Sequence, residues 1–253
     1  MMDRKILKRP FTKERAPDWI CPKCHKGVLR IKPETFHSEE LAHSRDHSHD
    51  MCEPEWIEYV YSCLLYCTND NCKEVVASAG TGSVDWSVGE DEHGNPEQVY
   101  EDYFSPKHFE PALKIITIPE ECPEEVAEPI DESFGLVFSS PSSAANSIRV
   151  AVEQLLTDLK VKRFNMANGK RRFISLHQRI KLVPQKHEEI RDLILAIKWL
   201  GNAGSHSRSA ISFDDVMDAY EFLDHILQEV YVQKAKKLKA KAKVVNKKKG
   251  PNK

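Results

Sequence analysis

Two kinds of hydrophobic pattern divide this chain of 253 residues. In the first half, apolar and β-branched residues are grouped in short runs, of which residues 56–66 and 74–78 are the clearest, and such runs predict β-strands. From residue 139 onwards, apolar residues recur every three or four positions, which predicts amphipathic helices. The sequence therefore predicts an α+β protein in which a β domain precedes a set of helices.

Four helices are predicted in the second half, each with an apolar stripe. The stripes are Ile148, Val152, Leu155 and Leu159; Leu176, Ile180 and Val183; Ile190, Leu193, Ile194, Ile197 and Leu200; and Val216, Tyr220, Leu223, Ile226, Leu227 and Val230. Ser212 followed by Asp215 is close to a capping box at the start of the last helix. Four helices with short connections are typical of an antiparallel four-helix bundle.

Composition narrows the class of protein. Apolar residues make up 40% and charged residues 30% of the chain, as in ordinary globular domains. No apolar run approaches the roughly 18 residues of a membrane span, and the N-terminus lacks the apolar stretch of a signal peptide. We therefore expect a cytoplasmic protein without a membrane partner.

The net charge of −2 conceals an uneven distribution. Residues 234–253 contain ten lysines and no acid, so this tail is either an arm for nucleic acid or a solubilising end. Six further cations lie between the first two predicted helices: Lys160, Lys162, Arg163, Lys170, Arg171 and Arg172. Lys170, Arg171 and Arg172 are the residues predicted to bind nucleic-acid phosphates.

Four of the seven cysteines form two close pairs, Cys21 with Cys24 and Cys67 with Cys72. Two thiolates separated by two residues, with Gly27 just beyond, can face one tetrahedral Zn²⁺ at about 2.3 Å. Because all four ligands would be thiolates, no position is left open. The pattern predicts one structural Zn²⁺ per chain.

The other cysteines and histidines are open to simpler explanations. Cys63 is predicted to be a core residue of a strand, and Cys122 a loop thiol. His43, His47 and His49, near Asp46, Asp50 and Cys52, can be read as a second metal site. The alternative is a polar insertion that collects histidines without binding a metal.

The third predicted helix ends in a second candidate site. Asn202 and His206 are four residues apart and share a helix face, and Gly201 and Gly204 permit close approach of another backbone. Arg149 in the first helix is either half of an ion pair with Glu153 or a cation held next to His206.

The pattern Ala145-xxx-Arg149-xxx-Glu153-xx-Leu156, followed by a basic connection and Trp199-Leu200-Gly201-Asn202-xxx-His206, resembles the domain of unknown function 4145. That family is grouped with the HEPN superfamily of helical bundles, and its bacterial members often carry an N-terminal zinc-binding segment. The resemblance implies a nucleic-acid-associated accessory protein of a restriction or phage-defence system, with the bundle forming a homodimer.

Many HEPN proteins resemble metal-independent ribonucleases whose motif joins an Arg, a polar residue and a His. Asn202 and His206 match that motif, whereas Gly201 stands where the Arg would precede Asn202. Arg149 or Arg208 can supply the cation instead, with His206 as general acid or base. The departure at Gly201 favours a non-catalytic bundle, and a purely structural dimerisation module, with Asn202 as a cap and His206 in the core, is the remaining alternative.

Four domains follow from these patterns. They are a zinc-ribbon-like β domain with a polar His-rich insertion (17–118), an acidic, proline-containing linker (119–138), a HEPN-like helical bundle (139–233) and a lysine-rich tail (234–253).

Overall fold

The computed structural model describes residues 2–45, 53–91, 93–206, 211–232 and 234–249, without the side chains of residues 167, 204–206 and 234–239. The chain forms two compact units. One comprises residues 2–115 and 134–141, and the other comprises residues 116–133 and the chain from residue 142 onwards. The first unit contains an antiparallel sheet and the second is mainly helical, so the predicted α+β class is confirmed.

The sheet has five antiparallel strands. They are β1 (Leu29–Ile31), β2 (His37–Glu40), β3 (Glu58–Cys67), β4 (Val75–Glu90) and β5 (Pro96–Glu110). The order is β1-β3-β4-β5, and β2 pairs with the same edge of β3 as β1 does, nearer its start. Alternate residues of β3 are buried, among them Tyr61, Cys63, Leu65 and Cys67, as the period of a half-buried strand requires.

The core of the sheet unit is aromatic. The rings of Phe11 and Trp19 lie 5.3 Å apart, those of Tyr61 and Phe104 lie 5.4 Å apart, and each pair meets edge to face. Phe11 also exchanges two backbone hydrogen bonds with Phe104, of 2.9 and 2.7 Å. The N-terminal segment thus contributes to the core, and it contains a short helix, α1 (Arg4–Lys8).

Two segments of the sheet unit differ from the sequence prediction. Strand β4 was predicted only over residues 74–78, yet it pairs with β5 as far as Glu90. Val84, Trp86 and Val88 alternate with small and acidic residues, a strand pattern that the glycine-rich and acidic composition obscured. Residues 113–118 form a run of apolar and β-branched residues typical of a strand, yet they lie outside the strands and bury Leu113 and Ile115.

Six α-helices occupy the described residues from 116 onwards. They are α2 (Glu124–Leu136), α3 (Pro141–Asp158), α4 (Leu176–Lys181), α5 (Arg191–His206), α6 (Phe213–Leu227) and α7 (Lys234–Lys248). A 3₁₀ segment, Gln185–Ile190, precedes α5, and a π-helical turn, Gln228–Val232, follows α6. The antiparallel four-helix packing stays a prediction.

The segment predicted to be a linker, residues 119–138, is mostly helical, because α2 fills most of it. Its role as a linker stays a prediction. The prolines and acids suggested a linker, but Val126 and Ile130, one helical turn apart, are both fully buried. Pro129 lies inside the helix, where its missing N–H removes one hydrogen bond. Burial of the apolar face outweighs that loss.

The predicted apolar stripes form the core of the helical unit. Ile148, Val152, Leu155, Ile194 and Ile197 are all at most 1% exposed. The expected capping box is present, with Asp215 N–H donating to Ser212 Oγ at 3.1 Å. None of the described helices is long and apolar enough to cross a lipid bilayer.

Helix α5 touches α3 at Gly201. A Cβ atom at this position would lie 2.7 Å from Arg149 Cβ and 3.0 Å from Ala145 O, closer than real atoms allow. The close approach predicted from the two glycines is therefore confirmed at Gly201. The position has no room for a side chain.

We expect Gly201→Ala to destabilise the protein by about 1–3 kcal/mol, because the crowding exceeds the roughly 1 kcal/mol that alanine normally gains over glycine in a helix. Gly135→Ala in α2 is the matched control, since a methyl group added there would have nothing within 4 Å. Urea unfolding of both variants measures the difference. Equal stabilisation by the two substitutions would contradict this packing.

Candidate metal centre and basic hairpin

Two similar turns bring the four paired cysteines together. Cys21 and Cys24 lie just before β1, whereas Cys67 ends β3 and Cys72 precedes β4. In each turn the residue after the second cysteine, His25 or Lys73, has a left-handed φ of 53°. The turns close through backbone hydrogen bonds, from His25 N–H to Cys21 O and from Lys73 N–H to Asn69 O, both 3.1 Å.

The sulfur atoms have the spacing of a metal site. Cys21 Sγ lies 3.9 Å from Cys72 Sγ, Cys24 Sγ lies 3.6 Å from Cys67 Sγ, and all four lie within 4.8 Å of one another. A tetrahedron with metal–sulfur bonds of about 2.3 Å has edges of about 3.8 Å. A disulfide would need about 2.05 Å. The four predicted ligands therefore form one cluster that fits a tetrahedral ion.

Backbone N–H groups point at two of the sulfurs. Gly27 N–H donates to Cys24 Sγ and Asn69 N–H donates to Cys67 Sγ, each at 3.4 Å. The N–H groups of Gly27 and Lys26 lower the pKa of the Cys24 thiol to about 6, whereas burial raises the pKa of Cys67. A bound cation would offset that cost of burial and hold Cys67 as a thiolate.

Gly27 leaves room for a sulfur. A Cβ atom there would lie 2.5 Å from Cys67 Sγ and 2.9 Å from Asn69 N, so any side chain would displace the ligand. The sequence suggested a tight turn at Gly27. The structure shows that the absent side chain also makes space for the opposite cysteine pair.

The remaining described cysteines lie outside this cluster. Cys63 is 4% exposed on β3, as predicted for a core residue, and burial raises its pKa to about 12. Cys122 is half-buried in a turn, and burial raises its pKa to about 11.

The possible second metal site falls mostly outside the described residues. His47, His49, Asp46, Asp50 and Cys52 all lie there. His43 is exposed, and its Nε2 lies 3.2 Å from Glu58 Oε2.

The basic connection of the helical unit is a β-hairpin. Strand β6 (Phe164–Ala167) pairs with β7 (Lys170–Phe173) across a two-residue turn, Asn168–Gly169. Both turn residues have positive φ, 51° and 70°, as a type I′ turn requires. The Asn-Gly dipeptide is the sequence signal for this hairpin, which was not among the predicted elements.

Pairing separates the three predicted nucleic-acid-binding residues. Lys170 and Arg172 lie on one face of the hairpin and Arg171 lies on the other, because strand residues alternate. The Arg171 guanidinium carbon lies 3.7 Å from the centre of the Phe164 ring, a cation–π contact. The structure therefore gives Arg171 a partner within the hairpin.

The second candidate site is only partly described. Arg149 donates to Asn146 Oδ1 at 3.0 and 3.2 Å and forms an ion pair with Glu153, and its aliphatic chain lies against Gly201. Asn202 is half-buried. The side chain of His206, and Arg208 as a whole, lie outside the described part of the chain. The catalytic roles of Arg149, Asn202 and His206 stay predictions.

Comparison with known families divides the chain similarly. Residues 9–109 match Domain of unknown function (DUF8608), and residues 131–248 match Domain of unknown function (DUF4145). The second match confirms the predicted resemblance, whereas the relation to HEPN bundles stays a prediction. No curated protein and no solved structure matches the chain significantly.

We expect Gly27→Ala to weaken metal retention and to destabilise the sheet unit, since a methyl group 2.5 Å from Cys67 Sγ must push that ligand away. Titration with a chelator should extract metal from the variant at a lower concentration than from the wild type. Gly135→Ala again serves as the control. An unchanged chelator midpoint for Gly27→Ala would show that the sulfur spacing does not govern metal binding.

Proposed function

We propose that this protein is a nucleic-acid-binding accessory protein whose sheet unit is stabilised by one structural Zn²⁺ and whose helical unit carries the binding surface. The observation that carries the binding role is the exposed basic hairpin β6–β7. From residue 159 to residue 187 the sequence has nine Lys and Arg and no Asp or Glu. Such a local excess of positive charge favours phosphate contacts even in a chain whose net charge is −2.

The choice of zinc rests on the donor set. Four thiolates in a tetrahedral arrangement suit Zn²⁺ or an iron–sulfur centre, and the 3.6 and 3.9 Å sulfur separations suit one Zn²⁺. With all four positions filled by protein, the ion would have no site for water or substrate. Its role would be to hold the strand ends together.

Elemental analysis of the purified protein should find one zinc per chain. Cys24→Ser should lose the metal and lower the melting temperature of the sheet unit, because metal binding and folding are coupled in such small sites. Cys122→Ser is the matched control, because Cys122 lies outside the cluster. This substitution should leave the zinc content unchanged. Less than half an equivalent of zinc in the wild type would rule out the proposal for this site.

Nucleic-acid binding by the hairpin should depend on salt. Lys170→Ala combined with Arg172→Ala should make the slope of log affinity against log salt on duplex DNA shallower by up to about 1.8, at about 0.9 for each removed cation that neutralises a phosphate. Lys5→Ala with Lys13→Ala removes the same charge from exposed positions of the sheet unit and should change the slope little. Deletion of residues 234–253 measures the contribution of the tail separately.

Binding that is unchanged in the hairpin variant but lost with the tail would assign the function to the tail alone. No binding by the wild type to DNA or RNA at low salt would remove the proposed function.

A metal-independent ribonuclease is the second candidate. The observation that favours it is the contact of Arg149 with Gly201, which places the aliphatic chain of an arginine from α3 against the position where the ribonuclease motif has its Arg. If His206 is the general acid or base, His206→Ala should abolish cleavage of a labelled RNA pool without added metal and leave the melting temperature unchanged. If the wild type cleaves no RNA and His206→Ala lowers the melting temperature, the result would instead support the non-catalytic bundle.

Homodimerisation through the helices and a role in restriction or phage defence extend the same proposal. Both derive from the family resemblance. Light scattering of the purified protein tests the first.

A further inference from the structure

We propose that the hairpin β6–β7 is a β-ribbon that enters the major groove of duplex DNA and reads base edges with Asn165 and Arg172. This inference rests on the proposed nucleic-acid function and names its substrate class. It goes beyond phosphate binding, because it assigns different tasks to the two faces of the hairpin.

The register defines the two faces. Asn165 pairs with Arg172, and Phe164 pairs with Phe173; residues directly opposite each other project to the same side of a sheet. One face therefore carries Asn165, Lys170 and Arg172. The other carries Phe164, Met166, Arg171 and Phe173.

The side chains of the second face contact one another. The Phe164 and Phe173 rings meet edge to face at 5.5 Å, and Arg171 covers the Phe164 ring at 3.7 Å. Both contacts engage the Phe164 ring, so this ring is poorly suited to stacking on a base of a single strand, although Phe173 and Met166 on the same face are exposed. Within the described structure, by contrast, Asn165, Lys170 and Arg172 are exposed and have no side-chain partner.

The base of the hairpin is held rigidly. Ile174 N–H donates to Arg163 O at 2.8 Å, which extends the ladder, and Ile174 and Val161 are buried. Arg179, 1% exposed, donates to Val161 O and to Glu153 O and Thr157 Oγ1 near the end of α3. A projecting ribbon with a buried base can keep its side chains in register with a binding partner.

The dimensions fit one groove. Four residues per strand span about 13 Å, and two paired strands can enter the B-DNA major groove, which is about 12 Å wide. The major groove of A-form RNA is too deep and narrow for such an element. Arginine and asparagine are the side chains that pair with guanine and adenine edges there. The cross-strand pair Asn165–Arg172 can thus read neighbouring bases, while Lys170 near the tip contacts a phosphate.

The test uses the whole chain of 253 residues with three probes of one sequence: duplex DNA, duplex RNA and single-stranded DNA. A selection from randomised duplex DNA first supplies the preferred sequence. We expect an enriched sequence, bound at least about tenfold more tightly than its RNA duplex or single strand.

Two variants separate base reading from charge. Asn165→Ala removes no charge, and Arg172→Lys keeps the charge but loses the planar fork, so each should reduce the preference for the selected sequence by about fivefold or more. Both should leave the salt slope on random duplex DNA nearly unchanged, because neither substitution removes a charge. Met166→Ala, exposed on the other face, is the matched control and should leave the preference as in the wild type.

The outcomes distinguish the two proposals. Binding without an enriched sequence, equal binding to the RNA duplex or the single strand, or a preference unaffected by Asn165→Ala and Arg172→Lys would overturn the ribbon inference while the proposed function stands. No binding to any nucleic acid would overturn both.

Discussion

The organisation of the sheet unit depends on the convergence of four thiols at the ends of its strands. Cys21 leads into β1, Cys67 ends β3, and Cys72 leads into β4, so a single cluster joins three adjacent strands at one end. Cys67 is buried, and burial is the largest of the effects that raise its pKa and oppose its ionisation. A bound cation would reverse that balance, because it would stabilise all four thiolates together. With the ion bound, the ends of β1, β3 and β4 would be held together beside the aromatic core around Phe104 and Tyr61.

In each unit, a glycine leaves space for the side chain of a residue distant in sequence. Gly27 leaves space for the sulfur of Cys67, and Gly201 leaves space for the aliphatic part of Arg149. In neither case is an unusual φ the reason, since neither glycine has a positive φ. Both positions are set by the distance to a neighbouring side chain, and that distance becomes visible only when the partner segments, far away in sequence, are folded.

Features that depend on the spacing of residues close in sequence could be predicted from the sequence. Features that depend on packing against distant segments could not. The cysteine pairs and the stripes around Ile148 and Ile194 were found because metal geometry and the helical period act over a few residues. Helix α2 was missed because its prolines and acids dominate the composition, while only a few well-placed apolar residues show its buried face. The hairpin β6–β7 could have been predicted from local sequence, because the Asn-Gly dipeptide is typical of a two-residue hairpin turn. The high positive charge of this segment predicted a binding role but not its structure.

Gly201 and Arg149 must be considered together, and this bears on how the chain departs from the ribonuclease motif. A side chain at position 201 would collide with Arg149 at its first carbon atom, so an Arg at 201 and the Arg at 149 cannot both occupy this packing. The guanidinium of Arg149 is already held by Glu153 and by Asn146. A phosphate bound near Asn202 would have to compete with the Glu153 carboxylate for the Arg149 guanidinium. The Arg149–Glu153 attraction grows as water leaves the site, because the local dielectric constant falls. With Glu153 as its partner, Arg149 therefore stabilises the packing of α3 on α5 through its contact with Gly201. Its guanidinium could bind a phosphate only if that phosphate displaced Glu153.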